Sequence, residues 1–484
     1  MQNLQARTPL ADTDPVSDVM AAATGRLRQA MREIINSDAA RQLAVELADM
    51  LGQDPLTGEQ TCRDNIHELA RAMLAEACEM LDDHGEYLEV DGRTCRKAEA
   101  TRGQAMTLFG SISFMRSRYR PTSGRGPSVF PTGNVLGLTE SSLTPAAAGL
   151  SLFLMANLSA RESAEAWVRL TGGGPAVSAL VKPAGEAGRR FEEGADDLMA
   201  DLMAEEDIHP AAVAVMVSLD GVMLRMHAEA VEGREIDAGW REACCGVVAL
   251  LDAEGGMLQR VCPGRLPEAG KASLKAQISK QAFHWLRQLP GLKLVAIADG
   301  ARDNRGFPDN LGPDVTVLDF FHAAQHMKVA ADAAFGEGSP EAMAWFGKWR
   351  HVLRHHPGGA RKVIDALRYL LRKKEGGTGI IARGPGCFRA GRHRMKYRQA
   401  ADAGYPVGSG AVEAANKTLV TSRMKRSGQR WGRDGGQGVL TFRSLVKSGR
   451  TGRAWARLAR SWQPWKPPAR GGAANDNRGL ALAA

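Results

Sequence analysis

The sequence lacks several features that mark whole classes of proteins. It has seven cysteines, an odd number, with no CxxC pair, so neither a disulfide framework nor a zinc finger is indicated. Its most apolar run, PAAAGLSLFLMA from Pro145, is too short to span a bilayer. No signal peptide is visible in the opening MQNLQARTPLADTDP. With 44% hydrophobic and 24% charged residues, we expect a soluble protein of a reducing cytoplasm, without a membrane partner.

Acidic residues are scarce in one segment near the C-terminus. Between Ala411 and Lys466 there are thirteen Lys or Arg residues but only two acidic residues, Glu413 and Asp434. The local net charge is therefore +11, whereas the net charge of the whole chain is +9. The rest of the protein therefore sums to −2, and a basic block on a nearly neutral protein is typical of a nucleic-acid binder. The alternative is a solvated basic tail. Four tryptophans between Trp431 and Trp465 argue against that alternative, because solvated tails are poor in tryptophan.

Changes in periodicity divide the chain into six regions. We expect a helical N-terminal region over 1–85 and a β-hairpin with a helix-turn-helix-like DNA-binding region over 86–205. A mixed α/β sheet follows over 206–336 and returns over 400–447, because strands first paired by hairpins then alternate with helices. A helical, basic insertion over 337–399 separates the two parts. The last region, 448–484, is a basic tail whose end looks disordered.

Two helical patterns precede the sheet region. Ser159 and Glu162 predict a capping box, and the TGGG that begins at Thr171 breaks the pattern. This spacing fits a helix-turn-helix over 162–182 with 175–182 as its recognition helix, and it fits an ordinary pair of antiparallel helices equally well. In the first case Ser178 and Lys182 would contact DNA.

Three apolar runs predict strands that each end in an aspartate: Asp220, Asp299 and Asp319. A carboxylate at the end of a buried strand costs free energy unless it is paired or binds a cation. Asp220 and Asp299 are followed by glycine, and Asp-Gly is a strong hairpin-turn signal. The alternative that the aspartate only begins a hairpin turn suits Asp220. It does not suit Asp299, because no partner strand begins after it.

Glu413 opens a helical segment that is otherwise basic. Taken alone, it would form an exposed pair with Lys417, worth only about 0.2–0.5 kcal/mol. Beside two aspartates at strand ends and a charge pattern that suits DNA, a two-metal site becomes the better interpretation. Mg²⁺ prefers oxygen ligands, and two such ions can act on one phosphodiester. Glu413 would then face metal, while the basic residues that follow it would hold DNA: Lys417, Arg423, Lys425, Arg426 and Arg430.

The segments SLDG, IADGA, DFFHAAQH and YPVGSGAVEAANKTLVTSRMKRSGQRW resemble the DDE transposases of bacterial insertion sequences. The likeness is greatest to the Kra-type group, which is related to Mutator-like elements, and it covers roughly 108–447. The glutamate motif is long and specific, whereas the two Asp-Gly motifs are short.

This resemblance implies an RNase H-like fold with a helical insertion before the glutamate helix, and a transposase activity. Asp220 and Asp299 match the two aspartates of the family and Glu413 its glutamate, which together would hold two Mg²⁺ or Mn²⁺ ions. Asp319 and His322 match an Asp-x-x-His motif of related superfamilies and would lie at the active site or contact DNA. The partners implied are double-stranded DNA, as terminal inverted repeats and target, and further copies of this chain, in a bacterial cytoplasm at the nucleoid.

The sequence departs from the family where relatives often carry paired cysteines of a zinc-ribbon-like stretch. Here YRPTSGRGPSVFPTG contains no cysteine, so we expect no zinc site. His326, one turn after His322, is expected to be structural. Two other functions stay open: a structure-selective nuclease of the same fold, and a DNA-binding protein without catalytic activity.

Overall fold

The computed structural model describes residues 15–82, 84–90, 92–123, 126–231, 234–298, 306–373 and 388–460. The chain divides into two compact units, Met1–Leu74 and Ala75–Ala484. Two of the predicted features lie outside the described residues: Asp299 and the end of the C-terminal tail.

The described N-terminal part is helical. It consists of α1 (Pro15–Ile35), α2 (Asp38–Gln53) and α3 (Pro55–Met80). Ser37 caps α2, since its side chain accepts a hydrogen bond from the backbone N–H of Ala40. Large apolar side chains on these helices, among them Leu27 and Leu43, are exposed, and no residue of α2 is buried. Helices of this length gain most of their stability from packing, so these faces lack the contacts that would stabilise them.

A three-stranded antiparallel sheet follows, made of β1 (Tyr87–Val90), β2 (Arg93–Thr107) and β3 (Gly110–Pro121) in that order. The predicted hairpin is therefore present. Five helices follow along the chain: α4 (Pro131–Val135), α5 (Pro145–Asn157), α6 (Ala160–Thr171), α7 (Val177–Glu193) and α8 (Ala195–Ala204).

The main sheet has mixed strand directions and begins with a long meander. The meander consists of β4 (Ala214–Met226), β7 (Gly239–Leu251) and β8 (Met257–Val261), all antiparallel, with the small hairpin β5 (Glu229–Val231) and β6 (Arg234–Ile236) between β4 and β7. The short β9 (Gly264–Arg265) also pairs with β7. On the other side of β4 lie the parallel strands β10 (Lys293–Ala298) and β11 (Val315–Leu318), giving the order β11-β10-β4-β7-β8.

Helices cover both faces of this sheet. One face packs on α9 (Ala272–Gln288), whose buried Leu274, Ile278 and Trp285 contact the odd-numbered residues of β4. The other face packs on helices that follow β11 and on the segment around Glu413. These are α11 (Phe320–Phe335), α12 (Pro340–His355), α13 (Gly359–Lys373), α14 (Tyr397–Asp402) and α15 (Gly410–Asn416); the short α10 (Gly306–Asn310) precedes β11. In the described part of the predicted insertion, α12 and α13 are helical as expected.

The helix α15 continues into one π-helical turn (Lys417–Thr421) and the short α16 (Ser422–Met424). Two further helices, α17 (Arg433–Lys447) and α18 (Thr451–Arg460), pack against α5, α7 and α8. The crossing of α7 and α17 is very close, because Gly188 and Gly438 meet there. A Cβ at Gly438 would stand only 2.0 Å from the carbonyl oxygen of Ala184.

None of the described helices combines the length and the apolar character that crossing a membrane requires. Cys244 and Cys245 are both buried, and they point to opposite faces of the main sheet.

Candidate active site

Asp220 lies within β4 and not at its end, so the sequence prediction was wrong on this point. The strand continues to Met226, paired with β7 throughout, and Asp220 lies opposite Cys245. No turn forms at Asp220-Gly221, because Val222, Leu224 and Met226 continue the alternation that packs one face of the sheet. Side chains alternate along a strand, which places Asp220 on this same face, where α15 also packs.

The carboxylate of Asp220 is held in a defined position. Its Oδ1 accepts a hydrogen bond from the backbone N–H of Gly221 at 2.7 Å, and its Oδ2 accepts one from Nδ2 of Asn416 at 2.8 Å. Asn416 is the last residue of α15 and is 6% exposed. The side chain of Asp220 is therefore fixed to the helix that carries Glu413.

Glu413 lies on α15 one turn before Asn416, and residues three apart on a helix share a face. Its Oε1 accepts a hydrogen bond from the hydroxyl of Ser409 at 3.0 Å, and the residue is otherwise exposed. Among the described residues, Glu413 forms no ion pair with Lys417. The alternative interpretation, in which Glu413 only forms an exposed pair with Lys417, therefore loses its main support.

Asp319 is 2% exposed, and this burial argues against a contact with DNA, whereas its predicted place at the active site stays a prediction. Its Oδ1 accepts a hydrogen bond from the backbone N–H of His322 at 2.6 Å, which caps α11, and its Oδ2 accepts one from the backbone N–H of Ser409. The backbone N–H of Asp319 donates to the carbonyl of Ala298 at 2.8 Å. Asp319 is thus a structural junction between β10, α11 and the start of α15.

His322 is half-buried on the first turn of α11. Its Nε2 lies 3.3 Å from Nε2 of His326, which is exposed, so the expected packing role of His326 is not what the structure shows. A contact of His322 with DNA stays a prediction.

Asp299, the second predicted metal ligand, lies outside the described residues. The last described residue before it is Ala298, the end of β10, and β10 pairs in parallel with β4, with Ile297 opposite Ser218. Its role in metal binding therefore stays a prediction.

Two further residues connect the site, and the sequence analysis missed both. Ser409 bonds through its backbone to Asp319 and through its hydroxyl to Glu413, while Asn416 bonds to Asp220. They lie four residues before and three residues after Glu413, about one helical turn on either side. That spacing is the signal in the sequence that could have identified them.

The described polar groups at this site are oxygen donors of the kind that Mg²⁺ prefers. Besides the carboxylates of Asp220 and Glu413, the Oδ1 of Asn416 is buried and has no hydrogen-bond partner among the described residues. An orphaned buried oxygen is costly unless a ligand or water satisfies it. Asp299 is not one of the described residues. Among those that are described, no group of three or more His, Cys, Asp or Glu is placed to hold a metal.

A thiol lies next to the site but is not suited to nucleophilic chemistry. Cys245 lies opposite Asp220, and burial strongly raises the pKa of its thiol. Burial likewise raises the pKa of Cys244 to about 11. Both cysteines are protonated at neutral pH, and a thiol in that form is a poor nucleophile.

The basic residues predicted to hold DNA fall into two groups. Lys417, Lys425 and Arg430 are exposed, and Nζ of Lys425 lies 5.7 Å from the ring centre of the exposed Trp240. Arg423 is 2% exposed, so the predicted contact with DNA is wrong for this residue.

Arg426 is intermediate between these two groups. It forms an ion pair of 2.5 Å with Glu162, which leaves about a third of its side chain exposed. Hydrogen bonds from the backbone N–H and the hydroxyl of Ser159, and then Arg426, lower the pKa of Glu162 to about 2.

Other members of the basic block are also committed to protein contacts. Arg450 is buried and pairs with Glu206, while Arg457 pairs with Asp201 at 2.8 Å. Both arginines belong to the region that was predicted to be a basic tail. The described part of that region, up to Arg460, instead forms the packed helix α18.

The predicted helix-turn-helix region forms two packed helices, α6 and α7, and the capping box of Ser159 and Glu162 is confirmed. Ser178 and Lys182 lie one turn apart on α7 and are exposed. The second helix extends beyond the predicted end, through Pro183 to Glu193. A proline inside a helix costs about 3 kcal/mol, which the burial of several α7 side chains offsets.

Comparisons with known proteins give few matches. No protein-family profile matches the chain, and no curated protein does. Among solved structures, the chain is similar to one from the Drosophila P element transposase strand transfer complex. The identity is 10%, the match covers 66% of this chain and 81% of that chain, and the TM-score is 0.24.

Proposed function

We propose that this protein is a DNA transposase of the DDE type that cleaves the ends of an insertion sequence and joins them to target DNA. The observation that carries the proposal is the network that links Asp220 to Asn416 and Glu413 to Ser409. Through Asn416, Asp220 of β4 is bonded to the helix that carries Glu413, although 193 positions separate Asp220 from Glu413 in the sequence.

The sheet supports an RNase H-like fold for this site. Such a sheet has three antiparallel strands in a meander and two parallel strands on the other side of the first, which is the order and direction found here. The helices α12 and α13 lie between α11 and the Glu413 helix in the chain, which supports the helical insertion that the resemblance implies.

Asp220, Glu413 and Asp299 would hold two Mg²⁺ or Mn²⁺ ions, and such ions activate the attacking oxygen and stabilise the leaving oxygen of a phosphodiester. The protein's own part is positioning, because Asn416 orients Asp220 and Ser409 orients Glu413. In the first reaction, water attacks the phosphodiester at the end of the element and frees a 3′-hydroxyl. That hydroxyl then attacks a phosphodiester of the target, so that one P–O bond forms as another breaks.

Exposed Lys417, Lys425 and Arg430 follow the Glu413 helix and would contact the phosphates of double-stranded DNA near the site. The exposed Ser178 and Lys182 of α7 would contact terminal repeats. The exposed apolar side chains of α1 and α2 support the expected homo-oligomer, because a second copy would cover them.

The test is cleavage of linear DNA that carries the natural sequences flanking the gene, with Mg²⁺, followed by joining to a plasmid. Glu413→Gln keeps the shape and removes the charge, so we expect cleavage and joining to be lost while DNA affinity without metal is unchanged. Glu254→Gln, in the exposed turn between β7 and β8, is the matched control.

Three outcomes would contradict the proposal. Cleavage by Glu413→Gln at the wild-type rate would remove Glu413 from the site. Cleavage by the wild type without any joined product would favour a structure-selective nuclease. DNA binding without cleavage would favour a catalytically idle DNA-binding protein.

A further inference from the structure

The C-terminal end of α5 receives an unusual set of donors. Carbonyl groups in the last turn of a helix have no partner within the helix. Here three consecutive carbonyls, those of residues 155, 156 and 157, each accept a hydrogen bond from a different arginine. Nε of Arg423 donates to the first at 2.8 Å, Arg443 to the second, and Nη2 of Arg426 to the third at 3.2 Å. We name these three arginines the arginine clamp.

Besides α5, the arginine clamp contacts the helical segment that directly continues α15, the helix that carries Glu413. Arg443, which comes from α17, donates from Nε to the carbonyl of Leu419 at 2.7 Å, and it also donates to the carbonyl of Thr418 and to the hydroxyl of Ser422, the latter at 3.1 Å. Leu419 and Thr418 belong to the π-helical turn that directly follows α15. Carbonyls displaced by a π-helical turn need other donors, and Arg443 supplies them.

Two of the three arginines of the arginine clamp are buried, which distinguishes the clamp from a contact on the protein surface. Arg423 and Arg443 are 2% and 5% exposed, and burial lowers the pKa of each to about 10, so both stay charged at neutral pH. Among the described residues, Arg426 forms an ion pair with Glu162, whereas Arg423 and Arg443 have no salt bridge to a carboxylate. Burying a charge is costly unless hydrogen bonds satisfy it, and here backbone carbonyls do so.

The partners of the arginine clamp connect two functional regions. Glu162 lies in the first turn of α6, in the capping box that begins the helix-turn-helix-like pair, and the carbonyls that accept the bonds end the helix before it. Arg443 also bonds to the helical segment that continues α15, and Arg426 donates from Nε to the carbonyl of Ser422 in that segment at 3.3 Å. The position of this segment is thus fixed relative to α6 and α7.

We propose that Arg423, Arg426 and Arg443 are positioning residues that set the Glu413 helix relative to the helix pair expected to bind the element's end. The proposal rests on the proposed function. Arg423 and Arg443 do not contact DNA themselves. Their role is to place Glu413 at a fixed distance from DNA that α6 and α7 hold.

The first experiment uses Arg443→Met, which removes every donor of that side chain, and Arg443→Lys, which keeps the charge but cannot bridge several carbonyls. We expect kcat for cleavage to fall 10–100-fold in Arg443→Met, the range found when residues that orient metal ligands are changed. Arg443→Lys should lie between this variant and the wild type. KM for terminal DNA and its Kd without metal should not change.

The second measurement needs neither metal nor DNA, and it stays informative if Arg443→Met is unstable. In Arg443→Lys, hydrogen exchange of the backbone amides at 410–424 should accelerate, while exchange in α9, on the opposite face of the sheet, should match the wild type. The matched control is Arg450→Lys, which also changes a buried arginine, one that is bonded to Glu206 and Gln281. It should lower thermal stability without accelerating exchange at 410–424 or lowering kcat.

Several results would overturn the proposal. An unchanged kcat in Arg443→Met would show that the position of the helix does not depend on the clamp. A rise in Kd for DNA at constant kcat would make Arg443 a DNA contact. Equal acceleration of exchange throughout the protein would reduce the clamp to a contribution to stability. If the wild type cleaves nothing, the proposed function fails, and the exchange experiment still decides whether the clamp holds the helix.

Discussion

The structure predicts which basic residues give DNA binding its dependence on salt. Lys417, Lys425 and Arg430 are exposed, whereas Arg423 is buried under carbonyl contacts. Each phosphate neutralised on duplex DNA adds about 0.9 to the slope of log affinity against log salt. Replacing the three exposed residues by alanine should therefore reduce the slope by about 2.7. When the salt concentration is raised from 50 to 200 mM, the affinity of the wild type should fall by a factor that is roughly 40 times the factor for the triple variant.

The assay is fluorescence anisotropy of labelled duplex DNA, titrated at four or more salt concentrations without divalent metal. Arg423→Ala is the internal control, and it should lower thermal stability while leaving the slope at the wild-type value, provided the variant is measured below its unfolding temperature. A slope for Arg423→Ala that drops by a full unit would refute the reasoning, because the buried guanidinium would then be a phosphate contact. An unchanged slope in the triple variant would place the DNA on another surface.

Three more predictions concern stability and recognition. Gly438→Ala would place a Cβ 2.0 Å from a carbonyl oxygen of α7, so the free energy of unfolding should fall by about 1–3 kcal/mol, whereas Gly435→Ala, in open space on the same helix, should not reduce it. Replacing Ser178 and Lys182 by alanine should weaken binding to terminal DNA more than to random DNA; equal losses would indicate phosphate contact only. The pKa of Glu162 is lowered from 4.5 to about 2, so its contribution to stability should be constant above pH 4.5 and be lost as pH falls towards 2. Denaturation of wild type and Glu162→Gln should therefore give curves that converge in acid.

Most of the architecture could be predicted from hydrophobic periodicity. The strands β10 and β11 lie in the apolar runs that precede Asp299 and Asp319, and β11 ends directly before Asp319. Periodicity works for these elements because each buries one face, and burial sets the spacing of apolar residues. The same logic would have shown that β4 continues beyond Asp220, since Val222, Leu224 and Met226 keep the alternation. The alternation of apolar residues outweighs the turn preference of the Asp-Gly dipeptide.

The fate of the arginines could not be predicted in the same way. A sum of charges treats every arginine as solvated, but Arg423 and Arg443 satisfy carbonyl groups on α5, more than 250 positions away in the sequence. Whether a guanidinium group contacts solvent or a distant carbonyl depends on the packing of helices, which local sequence patterns do not encode. Asp319 illustrates the same limit, because its carboxylate is occupied by the backbone of Ser409, 90 positions later.

The exposed members of the basic block narrow the surface that is proposed to contact DNA. Once the buried and ion-paired arginines are removed from the basic block, the exposed Lys417 and Lys425 lie on the same short segment as Glu413. A carboxylate next to lysines would weaken DNA binding if all of them faced phosphate. The arrangement becomes favourable when Glu413 and Asp220 face cations, because metal ions reverse the local sign of charge. Under the proposed function, the lysines would then contact the DNA strand on either side of the phosphate that reacts. A basic segment that begins with a fixed carboxylate is thus consistent with one surface that both holds and cleaves DNA.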